Sequence, residues 1–215
     1  MGFFAARFFA YVQGAAFYQQ IHREAVALLP PGAGKTWFDI GCGPGLVARL
    51  AAERGYRVMG FDSNADAVEI ATRHSGTVDS PRFACVALES IAEDDGTADV
   101  VSAASLLRVV KDRPLALRQL LKTLAPKGVL LVVETGHALA WRKLTINHLT
   151  AARGRRSWIL GLLVLSRMGA PPLDVKALCP EGYTVACHAL GGGLVNAWIL
   201  RRDTDDSMKN PFVNA

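Results

Sequence analysis

Between residues 36 and 134 the sequence alternates short apolar segments with segments of helical periodicity, and this alternation constrains the fold more than any other feature. Segments that are apolar throughout are typical of strands buried on both faces of a sheet. Strands that alternate with helices form parallel sheets covered by helices on both sides. The predicted strands are Thr36–Ile40, Arg57–Phe61, Arg82–Ala87, Asp99–Ala104 and Gly128–Glu134, and the predicted intervening helices are Leu46–Arg54, Asn64–His74 and Pro114–Leu124.

The flanking segments follow other patterns. Residues 3–29 carry apolar side chains near helical spacing and predict one or two helices. Near the other end, Tyr183–Leu190 and Val195–Leu200 predict two strands, and the three glycines between them favour an antiparallel hairpin. The predicted division is a helical cap at 1–31, a main domain at 32–203 and a flexible tail at 204–215.

A glycine-rich turn, Asp39-Ile-Gly-Cys-Gly-Pro-Gly45, joins the first predicted strand to the helix after it. Glycine tolerates unusual backbone angles and lets a ligand approach the main chain closely. The N-terminus of the following helix offers unpaired N–H groups and a partial positive charge. The turn therefore predicts a site for a phosphate group or for the carboxylate of an amino-acid cofactor.

Two nucleotide-binding motifs resemble this region but fail on spacing. The dinucleotide motif G-x-G-x-x-G requires a third glycine at position 46, which is Leu46 here. The segment Gly32–Thr36 resembles the end of a P-loop, but the first glycine of that motif would fall on Leu29. The segment also precedes a strand instead of following one, so both nucleotide interpretations are excluded.

Three motifs in order resemble a known family. Phe38–Gly45 is similar to the first motif of class I S-adenosylmethionine-dependent methyltransferases of the type-11, small-molecule kind. Val58–Asp62 resembles the second motif, a strand that ends in an acidic residue, and Leu124–Leu131 resembles the turn into the fifth strand. The resemblance extends over residues 36–134, nearly half of the chain. It implies a Rossmann-like three-layer α/β sandwich with a seven-stranded, mostly parallel sheet whose last strand is antiparallel.

The resemblance also implies S-adenosylmethionine as cofactor, with S-adenosylhomocysteine as product. Gly41 and Gly43 would let the backbone approach the methionine part, and Asp39 would orient its ammonium. The carboxylate of Asp62 would accept hydrogen bonds from both ribose hydroxyls. The residues expected to contact the cofactor are Asp39, Gly41, Cys42, Gly43, Asp62, Ser63, Ala87, Leu88 and Ala104.

The chain departs from the family pattern at two places. Relatives often carry an acidic residue where Ala87 stands, so backbone near Leu88 or the side chain of Glu89 would have to bind the adenine amino group. The stretch 106–110, after the fourth strand, contains no side chain suited to act as a base. If methyl transfer needs a general base, His137 is the best-placed candidate; a surface histidine at the start of a helix is the alternative.

The segment 142–167 is basic and apolar, with six Lys or Arg residues and the run Trp158–Leu165. It lies within residues 137–170, where the family inserts a helical substrate lid. Its composition suits an acidic, partly hydrophobic substrate, a lipid surface or a protein partner. A solvated basic face over a core-facing apolar side fits the same pattern.

The amino-acid composition limits the cellular location and the binding partners expected for the chain. The net charge of +5 is too diffuse to indicate nucleic-acid binding, and the four cysteines lack zinc-ligand spacing, so reduced thiols are expected. No run reaches the roughly 20 apolar residues of a spanning helix. The sequence thus predicts a cytoplasmic enzyme that methylates a small molecule of hydrophobic or acidic character. Contact with a membrane would be peripheral at most. A nucleic-acid or protein methyltransferase and a non-catalytic, cofactor-binding scaffold are the alternatives.

Overall fold

A computed structural model describes residues 3–75, 81–91, 97–136 and 173–203. The strands are β1 (Thr36–Ile40), β2 (Arg57–Asp62), β3 (Arg82–Cys85), β4 (Ala98–Ala104), β5 (Leu124–Thr135), β6 (Tyr183–Leu190) and β7 (Val195–Arg202). The helices are α1 (Phe3–Gln13), α2 (Ala16–Ala27), α3 (Leu46–Glu53), α4 (Ala65–Ser75), α5 (Arg113–Lys122) and α6 (Val175–Leu178).

The strands form one seven-stranded sheet in the order β3-β2-β1-β4-β5-β7-β6. β1 to β5 pair in parallel, and β7 runs antiparallel to both β5 and β6. The strand order reverses next to β1, so the carboxyl ends of β1 and β4 face the crevice in which open α/β sheets bind ligands. The predicted Rossmann-like sheet with an antiparallel last strand is confirmed.

The sheet separates two hydrophobic cores, as expected of a three-layer sandwich. Trp37 of β1 and Leu131 of β5 belong to the core that α2 and α3 cover. The next residue of β1, Phe38, belongs to the opposite core together with Leu117 of α5. Successive side chains of a strand point to opposite faces, so continuously apolar strands fill both cores.

Three predicted boundaries are wrong because of long-range strand pairing. The helix predicted to end at Leu124 ends at Lys122. The fifth strand, predicted to start at Gly128, starts at Leu124, which pairs with Ala98 of β4. The register then shifts before Val100 pairs with Val129, which leaves a bulge in β5. The third strand, predicted to reach Ala87, ends at Cys85, where its partner β2 also ends.

The predicted hairpin between β6 and β7 is present. Gly191, Gly192 and Gly193 connect the two strands in a turn with positive φ at each residue, a conformation that favours glycine. None of the described helices combines the length and apolar character that crossing a membrane requires.

Candidate cofactor site at the glycine turn

The glycine turn adopts a conformation that larger residues would strain. Gly41, Gly43 and Gly45 have φ values of 70°, 51° and 78°. A Cβ atom on Gly41 would lie 2.9 Å from Cδ1 of Leu106, and one on Gly45 would lie 2.7 Å from the ring of Phe83. The glycines therefore serve both the backbone angles and the close packing of the turn against its neighbours.

Asp62, at the end of β2, holds this turn. Its Oδ2 accepts a hydrogen bond from the backbone N–H of Gly43 at 2.8 Å, and its Oδ1 accepts one from Asn64 at 2.9 Å. The side chain is half-buried. A carboxylate oxygen has more than one acceptor position, so each oxygen still has capacity for a ligand hydroxyl.

Asp39 is buried near the end of β1 and connects this strand to β4 and α3 through hydrogen bonds. Its Oδ1 accepts a hydrogen bond from Ser102 Oγ of β4 at 2.7 Å, and its Oδ2 accepts one from the backbone of Ala48 in the first turn of α3 at 3.1 Å. Ser102 Oγ in turn accepts a hydrogen bond from Trp37 Nε1 at 2.7 Å. Burial raises the pKa of Asp39 to about 7, although the bonds from Ser102 and Ala48 oppose this rise.

The other residues expected to contact the cofactor lie at the same edge of the sheet. The segment after β3 is fastened to β2 because Val86 N–H donates to the carbonyl of Asp62 at 3.0 Å. Ala87 precedes a 3₁₀ turn at Leu88–Ser90. Ser63 directly follows Asp62, and Ala104 ends β4.

The four cysteines carry free thiols; Cys42 is buried, whereas Cys85 and Cys187 are exposed. Burial raises the pKa of Cys42, so its thiol stays protonated and unreactive. His137 and the basic segment 142–167 lie outside the described residues.

The N-terminal helices contribute side chains beside the glycine turn. Gln13 of α1 and Tyr18 and His22 of α2 line a small cavity of about 20 Å³. Asp39, Gly41, Cys42, Leu46, Val47 and Ala104 form its other wall. Oε1 of Gln13 is buried and accepts no hydrogen bond from the described residues, which leaves an acceptor beside the turn.

His22 is neutral at this cavity. Its Nδ1 lies 2.8 Å from the carbonyl oxygen of Tyr18 and donates to it, which leaves Nε2 as the acceptor. Burial lowers the pKa of His22, so the uncharged ring is favoured. In the sequence the aromatic stripe with Tyr11 and Tyr18 favours core packing, with a contact over the cofactor as the alternative, and no local signal marks His22 as a neighbour of the glycine turn.

A second buried carboxyl group lies at the end of β5. Glu134 is 1% exposed, and its Oε2 lies 3.6 Å from Nε of Arg108 in the segment after β4. Burial raises the pKa of Glu134 to about 7, and the Arg108 charge and the nearby backbone of Leu107 and Arg108 offset part of this rise. Arg108 also donates from Nη2 to the carbonyl of Thr135 at 3.1 Å.

Replacing Glu134 by glutamine should make stability less dependent on pH. The pKa of Glu134 is higher in the folded state, so its stabilising effect is complete below about pH 4.5 and is lost as the pH rises through about 7. Between about pH 5 and pH 8 the wild type should therefore lose on the order of 1–3 kcal/mol relative to Glu134→Gln. Chemical denaturation at both pH values measures this difference. The exposed Glu181→Gln serves as control, and an equal pH response in wild type and Glu134→Gln would contradict the prediction.

The sequence pattern of a family described as a methyltransferase domain matches residues 11–162, more than half of the chain. The chain belongs to this methyltransferase family. The match includes α2, the glycine turn and the strands that carry Asp39, Asp62 and Glu134.

Curated relatives carry the name ubiquinone biosynthesis O-methyltransferase. The protein from Idiomarina loihiensis is 30% identical over 134 residues, which cover 60% of this chain and 48% of that protein. The protein from Rhizobium rhizogenes is 26% identical over 179 residues, covering 81% of this chain and 71% of that protein. The chain therefore spans about half the length of the first of these relatives.

Solved methyltransferase structures share the fold. A plantazolicin methyltransferase in complex with a monoazolic desmethylPZN analogue and SAH has a TM-score of 0.66 at 14% identity, covering 92% of this chain and 90% of that one. Magnesium protoporphyrin IX methyltransferase from Synechocystis, with bound SAH, has a TM-score of 0.63 at 15% identity, covering 92% and 94%. At this level of identity the similarity establishes the fold alone.

Proposed function

We propose that the chain transfers a methyl group from S-adenosylmethionine to a small molecule of hydrophobic or acidic character. The observation that carries the proposal is the pairing of the glycine turn with Asp62, whose carboxylate lies at the end of β2 and contacts the backbone of Gly43. Membership of the methyltransferase family supports the reaction type. The name of the curated relatives favours a small acceptor molecule with an oxygen nucleophile.

The side chains at the turn match the chemistry of this cofactor. In the proposal Asp62 binds the ribose hydroxyls, since its oxygens have acceptor capacity left beside Gly43 and Asn64. Asp39 and the free acceptor Oε1 of Gln13 attract the ammonium group. The N–H groups at the start of α3 suit the carboxylate.

Four further residues are proposed to contact the cofactor in the roles predicted from the sequence. Ser63 and Cys42 contact the cofactor beside Asp62 and Gly41, and Ala87 and Leu88 flank the adenine.

The small cavity has room for about one ammonium-sized group, so α1 and α2 must shift for a larger ligand to reach Asp39.

When bound, S-adenosylmethionine supplies a methyl group on a sulfonium, which is a good leaving group. The task of the protein is then chiefly to align the acceptor and to exclude water. His137 is proposed to take the proton if the acceptor must lose one. His22 is a second candidate, because its neutral ring presents an acceptor nitrogen close to the turn.

The proposal is tested with the purified chain in two measurements. S-adenosylmethionine should raise the melting temperature, whereas methionine or adenosine alone should have little effect, and no shift at millimolar cofactor would refute the cofactor assignment. Methyl-labelled cofactor should then label components of a metabolite extract. Label transferred mainly to RNA or protein would refute the substrate class.

A further inference from the structure

A second, larger cleft of about 470 Å³ lies beneath α1, against α3 and α4. Its walls include Arg7, Tyr11 and Gln13 of α1, Arg49 of α3, and Arg73 and His74 of α4. This volume is in the range of sites that bind small molecules.

The cleft is separate from the small cavity at the glycine turn. Among the described residues the two linings share Gln13, and neither Asp62 nor Ala87 lines the cleft. Pro44 of the glycine turn also lines the cleft, and Arg73 and His74 belong to the last turn of α4. The cleft therefore lies between α1, α3 and α4 and borders the glycine turn at Pro44.

The lining of the cleft is positively charged. Three helices each contribute one arginine, and none of the described lining residues is acidic. Arg73 forms an exposed ion pair with Glu69 within α4, which neutralises part of this charge. Arg49 donates from Nη1 to the carbonyl of Pro44 at 2.8 Å.

The pKa shifts of Arg49 and His74 show that one of these charges is partly buried and that it acts on a neighbouring residue of the lining. Burial lowers the pKa of Arg49, although the charges of Asp39 and Glu53 oppose this effect. Burial and the charge of Arg49 both lower the pKa of His74. An anion in the cleft would relieve this repulsion and the cost of burying Arg49.

We propose that this cleft binds a phosphate group, carried either by a soluble metabolite or by a lipid headgroup. Guanidinium groups bind phosphate oxygens through paired, charge-assisted hydrogen bonds. Arginines from three helices can address the three terminal oxygens of a phosphomonoester, whereas a planar carboxylate presents two oxygens. The partly exposed ring of Tyr11, which lines the cleft, suits an apolar group attached to the phosphate.

The soluble arm of the test is a calorimetric titration of the full chain with inorganic pyrophosphate, and with acetate as a carboxylate probe. The double variant Arg7→Gln/Arg73→Gln should bind pyrophosphate about tenfold or more weakly than the wild type. The control Arg118→Gln/Lys122→Gln removes the same charge from exposed positions of α5 and should stay within about twofold. Far-UV circular dichroism and thermal unfolding verify that both variants fold.

The lipid arm is flotation with phosphatidylcholine vesicles that contain or lack phosphatidic acid. Pyrophosphate binding that requires Arg7 and Arg73 supports the proposal with a soluble ligand. Binding to phosphatidic acid vesicles alone, lost in the cleft variant and kept in the control, supports it with a lipid ligand. Acetate binding as tight as pyrophosphate binding, equal losses in both variants, or no binding in either arm would overturn the proposal.

Discussion

Asp62→Asn is expected to weaken the binding of S-adenosylmethionine about 100-fold, because asparagine supplies one acceptor oxygen where aspartate supplies two. In the wild type both oxygens already bind backbone N–H groups, those of Gly43 and Asn64. The amide NH₂ of asparagine would face one of these donors and could not accept from a ribose hydroxyl. Losing charge-assisted hydrogen bonds worth about 1.5–3 kcal/mol each gives an effect of this size.

Isothermal titration calorimetry with the purified chain measures this effect. Asp66→Asn is the matched control: it removes the same charge in the first turn of α4, and its affinity should stay within about twofold of the wild type. Denaturant unfolding of Asp62→Asn separates loss of the ligand contact from loosening of the turn. An unchanged affinity in a folded Asp62→Asn protein would show that the ribose is bound elsewhere.

Trp37→Ala should lower the free energy of unfolding by about 3–5 kcal/mol, the range found for large aromatic residues removed from cores. Trp37 is fully buried in the centre of the sheet and packs edge-on against Tyr56 at 4.8 Å between ring centroids. Its indole N–H also supports Ser102, which donates to Asp39. The substitution therefore creates a cavity and removes a donor from a buried polar chain.

Trp37→Phe separates these two contributions. Phenylalanine retains an aromatic ring but lacks the N–H, so we expect a smaller loss of about 1–3 kcal/mol. Val109→Ala, at a side chain that is 70% exposed, should change stability by less than about 0.5 kcal/mol. Chemical denaturation followed by far-UV circular dichroism gives all three values. A loss below about 1 kcal/mol for Trp37→Ala would contradict the packing described above.

The fold was predictable because its strongest signals are local. Apolar runs such as Thr36–Ile40 and the glycine spacing at 41, 43 and 45 depend on backbone geometry within a few residues. The boundary at Leu124 was not predictable, since helical periodicity continues to it and its pairing with Ala98 spans a long stretch of chain. Local propensity gives way there to a tertiary contact.

Some residues of the candidate site were predictable from the sequence and others were not. Asp39 and Asp62 are recognisable because each lies at a motif position, Asp39 next to the end of β1 and Asp62 at the end of β2. The proximity of Gln13 and His22 to the turn depends on how α1 packs against α4 and how α2 packs against α3, and no sequence spacing predicts this packing. Glu134 looks in sequence like an ordinary polar residue at the end of a strand, and its burial beside Arg108 appears only in three dimensions.

The hydrogen bond between Asp62 and Gly43 has a consequence for binding thermodynamics. Glycines lose more conformational entropy on ordering than other residues, and here this loss occurs as the domain folds. A ligand meets a turn that is already preorganised, so less of its interaction energy is consumed in fixing the main chain.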